Sequence, residues 1–339
     1  MSAALQLEAI DYHTAGEPFR IVTAGAPDIP GASVRERRET ARRSSEVDTV
    51  RRLLCHEPRG HADMYGCFVV APDDDGAELG ALFWHKDGYS TACGHGTIAL
   101  GVWAVDTGRV AAAADGDTEL AIDVPSGRVL ARVRCGGGQV QSVSFRNVPS
   151  YVLARSVPVD TSHGTVEVDL AFGGAIYAAL DAASVGLAVT PGDYLDLVAL
   201  GREVKWALEG GPHARHPSDE RLSGVYGTII FEALGGGPDG LHQRNVTVFA
   251  DGEVDRSPCG SGTSARLALL HADGLLAEGT QLRHESIVAT EFQGRVVEEV
   301  RAEGREAVIT EVDGLAFRTG EHHFVLDPRD PLGPGFVLR

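Results

Sequence analysis

Two short phrases, each beginning with cysteine, carry the reactive groups of this chain. Cys93–Ala99 reads Cys-Gly-His-Gly-Thr-Ile-Ala and Cys259–Ala265 reads Cys-Gly-Ser-Gly-Thr-Ser-Ala, one copy in each half of the 339 residues. A thiol in a glycine-rich turn at a helix start is favoured as thiolate at neutral pH, because the helix N-terminus attracts negative charge. Two facing thiols, one ionised and one protonated, would take a proton from one side of a carbon and return one to the other. The pattern predicts inversion of a carbon centre by acid–base catalysis.

The glycines of both phrases predict an anionic ligand. Gly94, Gly96, Gly260 and Gly262 allow positive φ and close approach of backbone amides to an anion, such as a substrate carboxylate. A carboxylate between the two helix starts would stabilise the negative charge that develops as the Cα proton leaves.

Two further side chains accompany the thiols. Asp255 precedes Cys259 in Asp-Arg-Ser-Pro-Cys and could hold a substrate ammonium group; the alternative is an Asx turn without a ligand. His95 follows the first thiol closely and could bind the ligand or tune Cys93; the alternative is a purely structural histidine.

Four helices are predicted to position these residues. We expect helices from about 97 to 105 and from 263 to 271 after the two thiols, a third over about 191–208, and an exposed, solvated amphipathic helix over 35–52. Most of the remaining chain alternates apolar and polar residues, which is typical of strands. Many strands and few helices predict an α+β fold rather than parallel βαβ units.

Several strands and two lobes are predicted in more detail. Strands are expected on both sides of a turn at 13–18, at 79–85 and at 286–292. The length exceeds the usual size of a single core, which favours two units. We place a first lobe at 1–150, carrying Cys93, and a second at 151–320, carrying Cys259. A C-terminal strand at about 320–339 is expected to return to the first lobe.

Composition narrows the classes of partner. The formal net charge of −18 argues against nucleic acid and anionic membrane surfaces, because both reward a basic face. No apolar run approaches the ~20 residues that cross a bilayer, and the first residues lack a signal-peptide pattern. We therefore expect a cytoplasmic protein with a small-molecule ligand.

The cysteines and lysines restrict the chemistry further. The cysteines are Cys55, Cys67, Cys93, Cys135 and Cys259. Their number is odd and no two are close in sequence, so in a reducing compartment we expect thiols rather than disulfides. The three outside the two phrases are interpreted as buried structural residues. Lys86 and Lys205 are the only lysines, which leaves few candidates for a Schiff base with pyridoxal phosphate. We expect amino-acid chemistry without that cofactor.

Two apparent motifs are given no function. His56–His61 resembles a zinc-protease helix, but its histidines are five apart and Pro58 would break the helix. Gly260–Ala265 matches a loose dinucleotide pattern, but Ser257 and Pro258 precede it where strand residues are required. Neither metal nor dinucleotide is expected.

Longer blocks of this sequence resemble the proline racemase family. Ser90–Thr97 and Asp255–Ala265 resemble its two signatures, and His13–Pro18 and Glu57–Gly66 resemble two further blocks. The likeness covers nearly the whole chain. It implies two lobes of the diaminopimelate epimerase type, each a curved, mostly antiparallel sheet around a central helix. It also implies that no cofactor is used and that the substrate lies between the lobes.

The resemblance also implies residue roles. Cys93 and Cys259 would be the acid/base pair. The residues contacting the imino acid would be Gly94, His95, Asp255, Gly260 and Ser261. It leaves open the oligomeric state, a homodimer included.

Three activities occur in that family: proline racemase, 4-hydroxyproline 2-epimerase and trans-3-hydroxy-L-proline dehydratase. The dehydratase has threonine in place of the second cysteine, whereas this chain keeps Cys259, which favours two-base epimerisation. His61–Gly66 and Ala171–Ala175 look closer to the dehydratase branch. We therefore expect a racemase or epimerase of proline or hydroxyproline, with the dehydratase as the alternative. A non-catalytic imino-acid binding protein is the alternative from another class.

Overall fold

The computed structural model describes residues 5–237, 240–276 and 279–338, which form eighteen strands and five α-helices. The strands are β1 (Leu5–Thr14), β2 (Glu17–Ala24), β3 (Gly66–Val70), β4 (Leu79–His85), β5 (Gly88–Tyr89), β6 (Gly116–Val124), β7 (Gly127–Gly136), β8 (Gln139–Arg146), β9 (Tyr151–Thr161), β10 (Gly164–Phe172), β11 (Ile176–Asp181), β12 (Val225–Gly237), β13 (Gly240–Phe249), β14 (Glu253–Asp255), β15 (Gln281–Ser286), β16 (Glu291–Ala302), β17 (Arg305–Gly314) and β18 (Ala316–Leu326). The helices are α1 (Val34–Arg43), α2 (Ser45–Cys55), α3 (Gly94–Asp106), α4 (Tyr194–Leu208) and α5 (Gly260–Ala272). This content confirms the α+β class. None of these described helices is long and apolar enough to cross a membrane.

The strands form a mixed sheet that is mainly antiparallel. Antiparallel hairpins include β1–β2, β6–β7 and β16–β17. The pairs β2–β3, β4–β6, β11–β12 and β13–β15 are parallel. Parallel neighbours need longer connections than hairpins, and α1 and α2 fall in one such connection, between β2 and β3.

Two buried helices, α3 and α5, organise the strands into two lobes. α3 packs on β1, β2, β7, β8 and β18, whereas α5 packs on β9, β10, β11, β16 and β17. α3 is buried from Gly94 to Ala104, and α5 from Gly260 to Leu270. A helix without a polar face has to be enclosed. We call β1–β8 with β18 the first lobe and β9–β17 the second lobe.

Two strands from the end of the chain link the lobes. β18 pairs antiparallel with β1 from Leu5 opposite Leu326 to Thr14 opposite Ala316. The chain therefore returns to the first lobe from Ala316, before the position of about 320 expected from the sequence. β17 pairs with β16 on one side and with β8 on the other. The lobes thus share a continuous sheet.

The charged segment 35–52 forms two helices, so the prediction of a single helix is wrong. α1 and α2 lie on either side of Ser44, whose hydroxyl accepts a hydrogen bond from the first turn of α2, a common role for serine. The prediction that this segment is exposed to solvent is also only partly correct. Arg51 is buried, and its guanidinium donates hydrogen bonds to the carbonyls of His85 and Lys86.

Other predicted elements are mostly confirmed, with shifted ends. The strand at 79–85 matches β4, and the helices after the two cysteines begin earlier than predicted, at Gly94 and Gly260. The strand predicted at 286–292 is wrong. This run spans the turn between β15 and β16, which a hydrogen bond from the Ser286 N–H to the Thr290 carbonyl closes at 2.8 Å. Periodicity alone does not separate a strand from a tight turn of β-branched residues.

Candidate active site

The N-termini of α3 and α5 meet at two glycines. A Cβ added to Gly94 would lie 2.6 Å from the Gly260 Cα, and one added to Gly260 would lie 2.8 Å from the Gly94 Cα. Only a residue without a side chain fits such a close approach. Cys93 and Cys259, which directly precede these glycines, are therefore brought to one place.

The backbone holds the two thiols differently. Cys93 is the N-cap of α3, and its Sγ accepts a hydrogen bond from the Gly96 N–H at 3.2 Å. Cys259 has a φ of 63°, which is uncommon for a residue other than glycine. A positive φ at a functional residue typically costs about 1–3 kcal/mol. The surrounding fold sustains this strain while it sets the direction of the Cys259 thiol.

Burial governs the ionisation of both thiols. Cys93 is 4% exposed and Cys259 is 5% exposed. Burial raises the pKa of Cys93 well above its ordinary value; the Gly96 N–H opposes this effect, and negative charge on Asp255 or Cys259 adds to it. Burial also raises the pKa of Cys259, again reinforced by Asp255. Burial thus favours the protonated form of both thiols and opposes the thiolate that the helix amides favour.

His95 and Asp255 lie beside Cys93. Both ring nitrogens of His95 are 3.6 Å from the Cys93 Sγ, and Nδ1 is 3.8 Å from Asp255 Oδ2. Burial lowers the pKa of His95 to about 4, so the ring is neutral at neutral pH. A neutral imidazole has one donor and one acceptor nitrogen.

Asp255 is held by its own loop. Its Oδ1 accepts hydrogen bonds from the Ser257 N–H at 2.8 Å and the Ser257 hydroxyl at 2.7 Å. The Ser257 hydroxyl in turn accepts one from the Cys259 N–H at 3.1 Å. The Asx turn considered from the sequence is therefore present. The second oxygen, Oδ2, faces His95, so the turn also presents negative charge to the site.

Ser261 lies on the Cys259 side together with a tyrosine. The hydroxyl groups of Ser261 and Tyr177 are 2.7 Å apart, and the Cys259 Sγ is 3.7 Å from the Tyr177 hydroxyl. Sequence reasoning missed Tyr177, because β11, which carries it, lies far from both cysteine phrases along the chain. The structure thus brings all seven predicted site residues to the junction of α3 and α5.

An aromatic wall encloses the thiols. Its members are Phe19, Tyr65, Tyr177, Tyr226 and Phe249. The ring of His95 meets Tyr65 edge-on at 5.0 Å between centroids, and Tyr177 meets Tyr226 edge-on at 5.6 Å. The wall was not predicted residue by residue, although Tyr65 falls inside the block Glu57–Gly66.

A buried ion pair connects the lobes next to Asp255. The backbone N–H and the Nε of Arg256 lie 2.8 Å and 3.0 Å from Glu17 Oε2. Glu17 is fully buried, and burial raises its pKa although Arg256 opposes the shift. The one indication of Glu17 in the sequence was its position in the block His13–Pro18.

A cavity of about 570 Å³ lies between the lobes. Its lining includes Ser90, Thr91 and Tyr226, but neither Cys93 nor Cys259. The aromatic wall therefore separates the thiols from this cavity. A ligand coming through the cavity has to pass the wall.

The arrangement suits a small zwitterion. Helix-start amides favour a carboxylate, Asp255 can attract a cationic nitrogen, and the two thiols lie at the helix starts beside these groups. Across 5–237, 240–276 and 279–338, no group of three or more His, Cys, Asp or Glu side chains is placed to hold a metal ion. The thiols, the imidazole and the carboxylate of the site are all able to transfer protons.

Comparisons with known proteins identify the family of this chain and its relatives. A family model described as proline racemase matches residues 9–337. A trans-3-hydroxy-L-proline dehydratase from Bacillus thuringiensis subsp. konkukian is 44% identical over 97% of each chain. A 3-hydroxyproline 2-epimerase from Burkholderia multivorans is 44% identical over 100% of each chain.

A solved structure supports the same fold. A hydroxyproline epimerase from Agrobacterium vitis, crystallised with trans-4-hydroxy-L-proline, has a TM-score of 0.91 and is 30% identical. The match covers 100% of this chain and 97% of the other. The two-lobe epimerase fold expected from the sequence is confirmed.

Proposed function

The chain belongs to the proline racemase family, and from that premise we propose that it inverts Cα of a hydroxyproline, with trans-3-hydroxy-L-proline as the preferred substrate. The racemase/epimerase activity of the family fits the two-thiol site. The 3-hydroxyl is favoured because relatives at 44% identity are named for 3-hydroxyproline. The epimerase crystallised with the 4-hydroxy isomer is less similar.

In the proposed reaction Cys93 and Cys259 act on opposite faces of Cα. One thiol, once ionised, removes the Cα proton, and the other protonates the opposite face. The roles exchange in the reverse direction. Because their charges interact, the two thiols titrate as a coupled pair. Exclusion of water by the aromatic wall would protect the carbanion-like transition state.

The remaining predicted residues would bind the substrate. Amides at Gly94 and Gly260 would hold the carboxylate and stabilise its developing charge. Asp255 Oδ2 would accept a hydrogen bond from the ring nitrogen, and His95 and Ser261 would bind polar groups beside it. These roles are supported by the positions of the five residues around the junction of α3 and α5.

The observation that carries this proposal is the contact of the two helix starts, which places a cysteine from each lobe at one site. The test is proton NMR in heavy water with trans-3-hydroxy-L-proline. We expect deuterium at Cα and the 2-epimer with the wild type. We expect loss of epimer by about 10³-fold in Cys93→Ser and in Cys259→Ser, because each variant lacks one of the two acid/base groups.

Cys135→Ser is the matched control, since Cys135 is a buried thiol in β7 outside the site. It should epimerise like the wild type. Full epimerisation in either site variant would overturn the two-thiol assignment. Ligand binding without deuterium at Cα in the wild type would favour the non-catalytic binding protein instead.

Dehydration of the same substrate is the second candidate. It needs a base at Cα and a proton for the departing 3-hydroxyl. The named dehydratase relative supports it, and so do hydroxyl groups in the aromatic wall. Detection of pyrroline product beside the epimer separates the two reactions.

The proposed setting is a cytoplasmic enzyme acting on a small imino acid, without nucleic acid or membrane as partner, and with a homodimer as the assembly to test. The five cysteines are unpaired thiols, which suits a reducing compartment. The net charge of −18 disfavours polyanionic partners.

A further inference from the structure

Three hydroxyl groups form a cluster in the aromatic wall, which we call the hydroxyl cluster: Tyr65, Ser90 and Tyr226. The Tyr65 hydroxyl lies 2.5 Å from the Ser90 hydroxyl and 3.0 Å from the Tyr226 hydroxyl. Tyr65 is 1% exposed and Ser90 is 2% exposed. Tyr65 and Ser90 come from the first lobe and Tyr226 from the second, so the cluster forms where the lobes meet.

The hydroxyl cluster lies between the thiols and the cavity. On one side, the Tyr65 ring meets His95, whose ring nitrogens touch Cys93, and negative charge on Cys93 raises the pKa of Tyr65 beyond the effect of burial. On the other side, Ser90 and Tyr226 line the cavity of about 570 Å³. The cluster thus connects the reactive groups with space that water can reach.

In the binding mode of the proposed function, the ring carbons of the substrate point toward the hydroxyl cluster. With the carboxylate at the helix starts and Cα between the sulfurs, C3 and C4 point away from α3 and α5. That direction leads to the aromatic wall. The hydroxyl cluster offers polar contacts within this otherwise largely apolar surface.

Stereochemistry selects Tyr65 and Cys93 as partners on one face. In trans-3-hydroxy-L-proline the 3-hydroxyl is opposite the carboxylate, so it lies on the same ring face as the Cα hydrogen. A base for that hydrogen and a donor for that hydroxyl therefore have to approach from one side. Cys93 and Tyr65 share the His95 side of the site.

We propose that Tyr65 donates a hydrogen bond to the 3-hydroxyl of the bound ring and, in dehydration, the proton with which this group leaves as water. The inference rests on the proposed function and deepens its second candidate. Ser90 and Tyr226 are positioning residues, which hold the Tyr65 hydroxyl and return a proton to it.

The elimination of water needs no oxidant or reductant. The Cys93 thiolate takes the Cα proton, the C–H electron pair becomes the C2–C3 double bond, and the C3–O bond breaks. The departing oxygen takes the Tyr65 proton and leaves as water. Tyr65 regains a proton through Ser90 or Tyr226 from water in the cavity, and the Cys93 thiol returns its proton to solvent. The enamine product then tautomerises to a pyrroline carboxylate.

Burial keeps Tyr65 protonated, as a proton donor has to be, although the raised pKa also makes the phenol a weaker acid. The pKa of Tyr65 is well above its ordinary value, chiefly from burial. The phenol therefore holds its proton until a strongly basic departing oxygen is present. A cluster that served only to hold the lobes together would affect every reaction of the site equally, which the following experiment tests.

The test compares Tyr65→Phe with the wild type on trans-3-hydroxy-L-proline in heavy water. Deuterium at Cα and pyrroline are measured in the same reaction. We expect the pyrroline formed per exchange event to fall about 10²-fold, because phenylalanine keeps the ring but removes the donor. Tyr12→Phe is the matched control, since its hydroxyl bonds Asp106 at the far end of α3.

Two further variants sharpen the test. Ser90→Ala should lower the same ratio by a smaller factor, and it replaces Tyr65→Phe as the test should that variant not fold. Cys259→Ser should form more pyrroline than Cys93→Ser, because Cys93 and Tyr65 share the face on which elimination occurs; the reverse order would overturn this pairing.

The possible failures are distinguishable. Exchange without any pyrroline in the wild type would overturn the role of Tyr65 and leave the proposed function standing. The same follows from an unchanged ratio in Tyr65→Phe, or from equal loss of exchange and pyrroline. An absence of Cα exchange in the wild type would instead overturn the proposed function.

Discussion

At the residue scale, the thiols illustrate a competition between two electrostatic effects. A helix N-terminus stabilises an anion by about 0.3–1 kcal/mol in exposed settings. Burial of a charge costs more than this unless a partner is supplied. At Cys93 the Gly96 N–H is such a partner, but burial still dominates and the pKa is raised. In the proposed reaction, a thiol therefore has to lose its proton before it can act as the base.

This balance predicts the pH dependence of exchange. Because both folded-state thiol pKa values are raised, the singly ionised pair becomes more abundant as the pH rises from about 6 to about 9. We expect kcat/KM for Cα exchange to rise throughout that interval. The folded state should lose stability above the ordinary thiol pKa, since the unfolded thiols ionise first. A plateau of kcat/KM beginning below neutrality would contradict the raised pKa values.

At the element scale, the site depends on how closely two helices approach. α3 and α5 are enclosed in separate lobes, and their first residues touch only because both are glycine. Two further glycines also allow close packing around the site. A Cβ at Gly96 would lie 2.4 Å from the Phe19 ring, and one at Gly173 would lie 2.5 Å from the Ser261 carbonyl oxygen.

Gly260→Ala tests this approach. The added methyl group would have to separate the helix starts, and a displacement near 1 Å at a catalytic group can cost about 10²-fold in rate. We expect Cα exchange to fall by about that factor and the free energy of unfolding by about 1–3 kcal/mol. Gly192→Ala is the control, because its nearest neighbour would be the Thr190 hydroxyl at 3.5 Å. Near-normal exchange in Gly260→Ala would argue against tight contact of the helix starts.

At the scale of the whole molecule, the lobes are joined by a continuous sheet and by polar contacts close to the site. The Glu17–Arg256 pair is one of these contacts, with Glu17 fully enclosed. A buried pair is weak evidence for net stability, but removal of one partner leaves an uncompensated charge. The charge of Glu17 is therefore compensated only when the two lobes are packed together.

Arg256→Met is expected to destabilise the fold by about 3 kcal/mol near pH 8. The loss should be smaller near pH 5, because the pKa of Glu17, already raised by burial, rises further without Arg256 and the carboxyl is then neutral. Denaturant unfolding at both pH values measures this. The double variant Glu17→Met with Arg256→Met should regain most of the stability. An equal loss at both pH values would exclude Glu17 as the cause.

Much of the fold and site follows from local patterns. The periodicity of apolar residues was sufficient to predict β4 and the helices after both cysteines. The spacing of apolar residues in the sequence shows whether one face or every face of such an element is buried. The break at Ser44 and the turn after Ser286 were missed, since each depends on a hydrogen bond that propensity does not reveal. The Ser44 hydroxyl accepts one from the Val47 N–H, and the Ser286 N–H donates one to the Thr290 carbonyl. The strands β9 and β11 were also missed.

The amino-acid sequence by itself determined the candidate reactive groups, because a repeated cysteine–glycine phrase can be recognised without knowing where it lies. The tertiary structure alone decided that Gly94 and Gly260 touch, that Tyr65 and Tyr226 meet across the lobes, and that burial raises the pKa of both thiols. The physical reason is that ionisation and contact depend on the water excluded and the neighbours gained when distant segments pack. Neither the exclusion of water nor these contacts are present until the two lobes pack against each other.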